Sequence, residues 1–272
     1  MRYDSLIKRF MKVIESYLEY AVNPDEIYFE PKNYYLRILD KNIAKKMIIE
    51  NHYTHKWTMC NVALGLYKKG ESNCFVDSIT NDDLIGVIAY GTPVGGNVMR
   101  GNGISPLLKN GEVFELTRLW IADGHGKNIE SWTISQSFKW LKENRPQVKL
   151  LISYADPDAG HLGKIYQATN WLYQYIENTS DTADFYLSFS PPPNYDWIHS
   201  RTISARYGGR NKEIMANKVP KPYWLKTLRR KFRYIYFLCD KREKSKILKT
   251  LTHPTSPYPT KIEGTTEIRM VS

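Results

Sequence analysis

The sequence predicts an α/β (α+β) fold that carries a basic C-terminal extension. Three observations lead there. Short apolar segments of strand length alternate with segments of helical period from residue 34 to residue 189. Hydrophobic residues make up 42% of the 272, enough for a real core. Residues 199–262 hold 17 basic against three acidic side chains, a net +14, while the whole chain carries only +11.

Taken in order, residues 1–22 space Leu6, Ile7, Phe10, Met11, Ile14, Tyr17 and Leu18 as one face of an amphipathic helix that Asn23-Pro24-Asp25 ends. Tyr34–Leu39 reads as a strand. Asp40 is placed to cap a helix from Lys41 to about Glu50. That helix runs into Asn51-His52-Tyr53-Thr54-His55-Lys56-Trp57, a polar and aromatic cluster that reads equally as a buried cap or as a set of substrate or metal contacts. Val62–Tyr67 and Leu84–Tyr90 form an antiparallel hairpin. Gly91–Asn110, rich in Gly, Pro and Asn, is a long loop, either a functional lid or a surface excursion.

The centre of the chain is Glu112 to Trp171. A strand, Glu112–Asp123, leads into Gly124-His125-Gly126-Lys127-Asn128, then a helix from Ile129 to Asn144. The strand Val148–Ala155 follows, then a turn over 156–161 and a short helix, 162–170. Two glycines let the backbone turn sharply, and the amides of a helix's first turn favour an anion. With Lys127 beside them, Gly124–Asn128 form a candidate pyrophosphate cradle. An ordinary strand-to-helix turn has the same pattern, and neither the Walker spacing nor a dinucleotide fingerprint is met.

Leu172–Glu177 and Phe185–Phe189 read as further strands. Pro191-Pro192-Pro193 marks a boundary. The division expected is an N-terminal helix over 1–30, a core over 31–190, a basic region over 191–262 and a disordered tail over 263–272. The basic region interleaves aromatic residues with its cations, which suits phosphates and unpaired bases. Its Arg233–Leu238 run reads as a strand, so some of those aromatics belong to the core. Cys60, Cys74 and Cys239 form neither a zinc pattern nor a disulfide framework, which fits a reducing cytoplasm. No apolar run reaches the ~18 residues of a membrane span.

The order of elements, with a glycine loop between the fourth strand and its helix, resembles the GNAT acyltransferase superfamily. That resemblance implies a central mixed, mostly antiparallel sheet flanked by helices, and an acyl-CoA or related donor held by Gly124, Gly126, Lys127, Asn128 and Ser153. A closer resemblance, over residues 34–260, is to the Mom family of phage DNA-modifying proteins. It rests on NHYTHKW from Asn51, FELTRLWI from Phe114, SYADPDAGHLGKIYQATNWLY from Ser153, HSRTISARYG from His199, and FRYIYFLCDKREKSKILKTL from Phe232 with the later PYP. It implies conversion of the adenine exocyclic amine in DNA to a carbamoylmethyl (acetamido-type) derivative, N6-carbamoylmethyladenine, which shields phage DNA from restriction enzymes.

The residues the resemblance carries over are His52, Tyr53, Asp156 and Tyr166, with iron implied at His52, Tyr53 and Asp156. The partner implied is double-stranded DNA with a flipped adenine, inside a bacterial host cell, with no membrane and with monomer or homodimer left open. Tyr53, Trp57 and Tyr90 are candidates to stack on the extruded base. Glu115, His52 and Asp156 are candidate bases, although Glu115 also reads as the ion-pair partner of Arg118 or Lys127. Tyr166 is the candidate proton donor to the leaving group, or a core tyrosine beside Trp171. The expected DNA contacts are Arg118, Arg201, Arg206, Arg210, Lys226, Arg229, Arg230, Lys231 and Arg233. Two other readings stand beside this one: a DNA-binding protein on a GNAT scaffold without chemistry, and an ordinary N-acetyltransferase. The catalytic reading needs His52, Asp156 and Tyr166 around one pocket.

Overall fold

The computed structural model describes residues 28–70, 82–176, 185–264 and 266–272. The amphipathic helix expected over 1–22 lies outside them, as does Cys74. Contacts divide the chain into two compact units, 1–99 with 110–149, and 100–109 with 150–272.

In the first unit, strands β1 (Tyr34–Ile38), β2 (Val62–Lys68), β3 (Asp83–Gly91) and β4 (Val113–Ile121) pair in sequence order, each antiparallel to the next. Helix α1 (Lys41–Asn51) begins at Asp40, whose carboxylate accepts from the amides of Asn42 and Ile43. Its Ala44 and Ile48 pack with Leu39, Ala63 and Val87. A short helical turn, α2 (Gly96–Met99), and the long helix α3 (Ile129–Asn144) complete the unit. Ile129 and Trp132 of α3 pack with Tyr34, Leu66 and Ile85. Residues of both parities along β2 are therefore covered, which is why six of its seven are buried and its sequence is a continuous apolar run.

The second unit holds two sheets. Strands β5 (Leu150–Ala155), β6 (Leu172–Gln174), β10 (Phe232–Phe237) and β11 (Thr255–Ser256) run in the order β5-β10-β6-β11. Strands β7 (Phe185–Ser188), β8 (Ile198–His199), β9 (Tyr223–Thr227) and β12 (Glu267–Val271) form the other, in the order β12-β9-β7-β8. Helix α4 (Lys164–Ala168) follows β5. Helices α5 (Ser200–Tyr207) and α6 (Lys212–Asn217) lie between β8 and β9, and α7 (Lys241–Leu248) follows β10. Ile203 of α5 and Met215 of α6 pack with Leu187, Tyr223 and Leu225 beneath the second sheet.

The α+β class, with mostly antiparallel strands and flanking helices, is the one observed. The expected division differs from the contacts. The basic stretch after 190 is no appendage, because β10 enters between β5 and β6 and buries Tyr234 and Ile235 completely. The tail expected to be disordered carries β12, whose residues 267–271 pair with β9. The long loop is tied down in its second half. Ile104, Ser105 and Leu108 are buried, Ser105 Oγ lies 2.7 Å from Thr250 Oγ1, and the Thr252 amide donates to Ile104 O. Small and polar residues signal a loop, but Ile104 and Leu108 give it a buried anchor.

The 160–171 segment owes its shape to one glycine. Gly163 sits at φ +75, and a Cβ there would lie 2.4 Å from the Tyr234 ring. Both the left-handed backbone and the ring contact exclude a side chain. Gly163→Ala is expected to destabilise the fold by about 2–4 kcal/mol, strain and overpacking together; urea unfolding followed by tyrosine and tryptophan fluorescence measures it.

Candidate functional site

In the first unit, His52 follows the last residue of α1 and is 7% exposed. Its Nδ1 accepts from the Thr54 amide at 3.1 Å, with the Thr54 hydroxyl 2.9 Å away. A nitrogen that accepts a backbone N–H carries no proton, so the neutral ring keeps its proton on Nε2. His52 thus presents an N–H, and its basic lone pair is spent locally. The Tyr53 ring stacks on His52 at 4.4 Å between centroids and is 57% exposed. It suits base stacking. The other two stacking candidates do not. Tyr90 is fully buried with its hydroxyl 2.6 Å from Ser137 Oγ, and Trp57 packs against the Leu39–Ile48 core cluster.

Arg118, on β4, lashes this segment down. Its Nε donates to Lys56 O at 2.9 Å and Nη1 donates to Thr117 O at 2.6 Å. Burial lowers its pKa, against the opposing pull of Tyr53 and Glu115. Arg118 is half-buried and braces the 52–57 segment against β4. The Glu115 carboxylate accepts from the Val94 amide at 3.3 Å, which ties the start of the 91–110 segment to β4.

The loop after β4 has the expected backbone. Gly124, Gly126 and Asn128 stand at φ +85, +87 and +72. The Asn128 side chain makes no capping bond to α3, and Lys127 is exposed. The imidazole of His125 lies edge-on to Tyr34, with Nδ1 3.3 Å from the phenol oxygen. Burial, and then Lys68, lower its pKa, which keeps it neutral.

In the second unit, Tyr166 of α4 is 9% exposed and packs against Trp171 and Tyr234, centroids 5.2 and 5.1 Å away. Ser153 Oγ donates to its hydroxyl at 2.8 Å. Ser153 is itself buried and serves Tyr166. Asp156 ends β5. Its carboxylate accepts from the Asp158 amide at 3.0 Å and pairs with Lys231 Nζ at 3.1 Å. Asp158, which the sequence reading passed over, meets Arg229 Nε at 2.7 Å and the Thr266 hydroxyl at 2.8 Å. Burial pushes its pKa up, but these bonds outweigh that and the net shift is downward. The D-x-D spacing of Asp156 and Asp158 was the available signal.

The expected DNA contacts thus separate into two groups. Arg201 and Arg206 on α5 are exposed. Arg210 reaches Ser200 Oγ at 2.6 Å, and Lys226 lies over the Trp197 ring at 5.8 Å, with Tyr195 stacked on that ring. Arg229 and Lys231 are paired with Asp158 and Asp156, and burial lowers the pKa of Arg230. Arg233 is 3% exposed, so it is part of the interior and not of a basic surface. It lies in β10 beside Tyr234 and Ile235, which are fully buried, so both faces of the strand are covered there.

His52 and Tyr53 belong to the first unit, and Asp156 and Tyr166 to the second. Among the described residues, no three His, Cys, Asp or Glu side chains gather as a metal site would need. No helix among them is long and apolar enough to cross a membrane.

The sequence profile of the Mom protein family matches residues 33–260. Methylcarbamoylase mom of Escherichia phage Mu is 28% identical over 222 residues, 80% of this chain and 80% of that protein. Two solved structures are also similar. An N-acetyltransferase from Staphylococcus aureus Mu50 has 10% identity and a TM-score of 0.37, covering 76% of this chain and 99% of its own. The spermidine N-acetyltransferase from Vibrio cholerae in complex with CoA and spermine has 9% identity and a TM-score of 0.38, covering 76% and 96%.

The lowered pKa of Asp158 has a consequence for acid stability. A carboxyl whose folded pKa is depressed contributes stability that is complete above its unfolded value and is lost as pH falls through the folded one. Stability is therefore expected to fall as pH drops below about 3.8, the unperturbed value. Asp158→Asn should flatten that part of the profile and lower stability at pH 7; thermal melts from pH 7 to pH 2.5 measure both effects.

Proposed function

The chain belongs to the Mom protein family, and from that premise we propose that it modifies DNA by converting the exocyclic amine of adenine to a carbamoylmethyl derivative. The observation that carries this reading is the match over residues 33–260, which includes the Ser153–Tyr173 stretch around Asp156 and Tyr166. The relative from phage Mu is named a methylcarbamoylase.

The amine of adenine is hidden in a stacked duplex, so the base must leave the stack, at a cost of a few kcal/mol. Tyr53, exposed and backed by the His52 ring, offers it a stacking face. Exposed Arg201 and Arg206, with the aromatic cluster of Tyr195 and Trp197 beside Lys226, offer contacts to phosphates and bases. The amine must lose a proton as it attacks. His52 is unsuited, since its one lone pair serves Thr54. Asp156 is our choice of proton acceptor: a carboxylate has about four lone-pair sites, and Lys231 and the Asp158 amide fix its orientation while occupying two. Tyr166 is the proton donor to the departing group. Ser153 Oγ donates to the phenol oxygen and so fixes where that hydroxyl stands.

A donor related to an acyl-CoA, with the CH2 of the carbamoylmethyl group bonded to its leaving group, would supply the group transferred: the N–CH2 bond forms as the bond from that CH2 to the leaving group breaks, whereas attack on an acyl thioester would leave an N-acyl group. The residues fit its pyrophosphate: Gly124, Gly126, Lys127 and Asn128 combine left-handed backbone, a cation and a helix start without a side-chain cap. Iron is not part of the proposal. His52 and Asp156 are each engaged with protein groups, and no donor set of the required kind is gathered among the described residues.

DNA co-expressed with the protein is expected to yield an adenine nucleoside heavier by one carbamoylmethyl group on mass spectrometry. Asp156→Asn and Tyr166→Phe should each lower its yield at least ~10²-fold, the scale of general acid–base catalysis. Unmodified DNA from soluble, folded protein rules the reading out. Salt-sensitive DNA binding that survives both substitutions, with no new nucleoside, would make the protein a DNA-binding module instead.

A further inference from the structure

In the sheet of β7, β8, β9 and β12, Phe185, Leu187, Tyr223, Leu225 and Val271 pack with α5 and α6 on one face. Side chains alternate along a strand, so Tyr186, Trp224, Lys226, Ile268 and Met270 stand on the other. The register sets two rows there. Met270 opposes Trp224, which opposes Ser188; Ile268 opposes Lys226, which opposes Tyr186. An antiparallel sheet packed on one side ordinarily turns a polar face to water. Here Ile268 and Met270 are 46% and 54% exposed. In β12 they alternate with Glu267 and Arg269, so that strand directs most of its apolar character outward.

The stretch between β7 and β8 extends this face. The Asp196 amide donates to Ser188 Oγ at 2.9 Å, and the Tyr195 and Trp197 rings stack at 4.5 Å between centroids. Tyr195 meets Trp224 edge-on at 5.9 Å, and Lys226 Nζ stands 5.8 Å from the centre of the Trp197 ring. His199 meets Tyr186 edge-on at 5.1 Å. Each of these five rings is half-buried, so part of each is open to a ligand.

A contiguous exposed apolar and aromatic surface marks an interaction site, and charge selects what it meets. Residues 185–231 supply three of the four strands and hold ten basic residues against two acidic ones, Asp196 and Glu213. In β12, Glu267 and Arg269 cancel. A second copy of this chain would bring another +11 and be repelled. A polyanion is attracted, and one with unpaired bases can also use the rings, because every base has a π-face. A duplex keeps those faces inside its own stack.

We propose that this sheet face binds a single-stranded DNA segment. Unpaired bases stack on Trp224 and Tyr186, the Tyr195–Trp197 pair borders them, and Lys226 meets the phosphate that joins them. Trp224 and Tyr186 are diagonal neighbours across β9 and β7, roughly 7 Å apart, a step that an unstacked nucleotide makes, and Lys226 adjoins both. The choice of DNA as the polymer rests on the reading above; the platform does not require the adenine chemistry.

The test uses the full chain labelled with ¹⁵N-tryptophan, following the assigned indole N–H signals of Trp197 and Trp224. The probes are a thymidine oligonucleotide of about 12 nucleotides and a duplex of the same length built from G and C, so neither contains adenine. The single strand is expected to shift both signals and the duplex to leave them in place. By anisotropy of the labelled oligonucleotide, Trp224→Ala should weaken binding about tenfold or more, and Trp224→Phe, which keeps a ring, should restore most of it. Lys226→Gln should lower the slope of log K against log salt by about 0.7. Wild-type indole signals that ignore the single strand overturn the proposal, and that result needs no variant to fold. Signals moved equally by both probes make the face a duplex contact and overturn it too. So does a chain that sediments as a dimer and becomes a monomer on Trp224→Ala. The nucleoside masses are read separately, so this platform and the adenine chemistry fail independently.

Discussion

The segment from Asp156 to Trp171 depends on its contact with Tyr234. That ring lies 5.1 Å from Tyr166, occupies the space a side chain at 163 would need, and donates its hydroxyl to Leu162 O. Gln167 donates to the same phenol oxygen at 3.1 Å. A five-residue helix has little stability of its own, because nucleation costs more than one turn returns. Here the neighbouring strand supplies what α4 lacks. The Tyr258 hydroxyl, donating to Trp171 O at 2.7 Å, closes the far end. The Tyr166 hydroxyl is therefore held as a consequence of where β10 lies, seventy residues further along the chain.

Strand β10 also explains how the sequence was readable there and where it misled. The aromatic and β-branched run Phe232–Phe237 makes a strand evident. Its partners, β5 and β6, come from distant sequence, and nothing local specifies them. The high local charge argued for a surface region, yet the place of β10 between β5 and β6 buries Arg233 along with Tyr234 and Ile235. Charge density is a property of the segment, whereas burial belongs to each position. Helix α3, by contrast, was legible to the residue, since Asn128 and Pro146 bracket an amphipathic run. The two-sheet arrangement of the second unit was not legible, because β6 and β7 are adjacent in sequence and belong to different sheets.

Among the candidate site residues, the sequence gives chemical type but not prior commitments. His52 has the side chain of a base and uses its lone pair on the Thr54 amide. Arg118 has the side chain of a phosphate contact and gives two of its five donors to carbonyls of the chain. Tyr53 and Tyr90 are the same residue type; one is 57% exposed and the other fully buried. These differences arise from helix ends and strand parity. They separate groups that position from groups that can meet a substrate.

The cations divide by the same logic, and the division bears on how a basic protein grips a polyanion. Arg229 and Lys231 meet Asp158 and Asp156 at 2.7 and 3.1 Å, so two of the densest charges are largely neutralised within the fold. Exposed Arg201 and Arg206 can release counterions from a duplex, and such contacts weaken steadily with salt. Arg233 differs from both groups. It is 3% exposed and hydrogen-bonded to Tyr154, so its charge is held inside the fold. Exposed arginines therefore give reach and sensitivity to salt, while a buried one belongs to the interior. A +11 net charge alone distinguishes none of these roles; the partners of each guanidinium do.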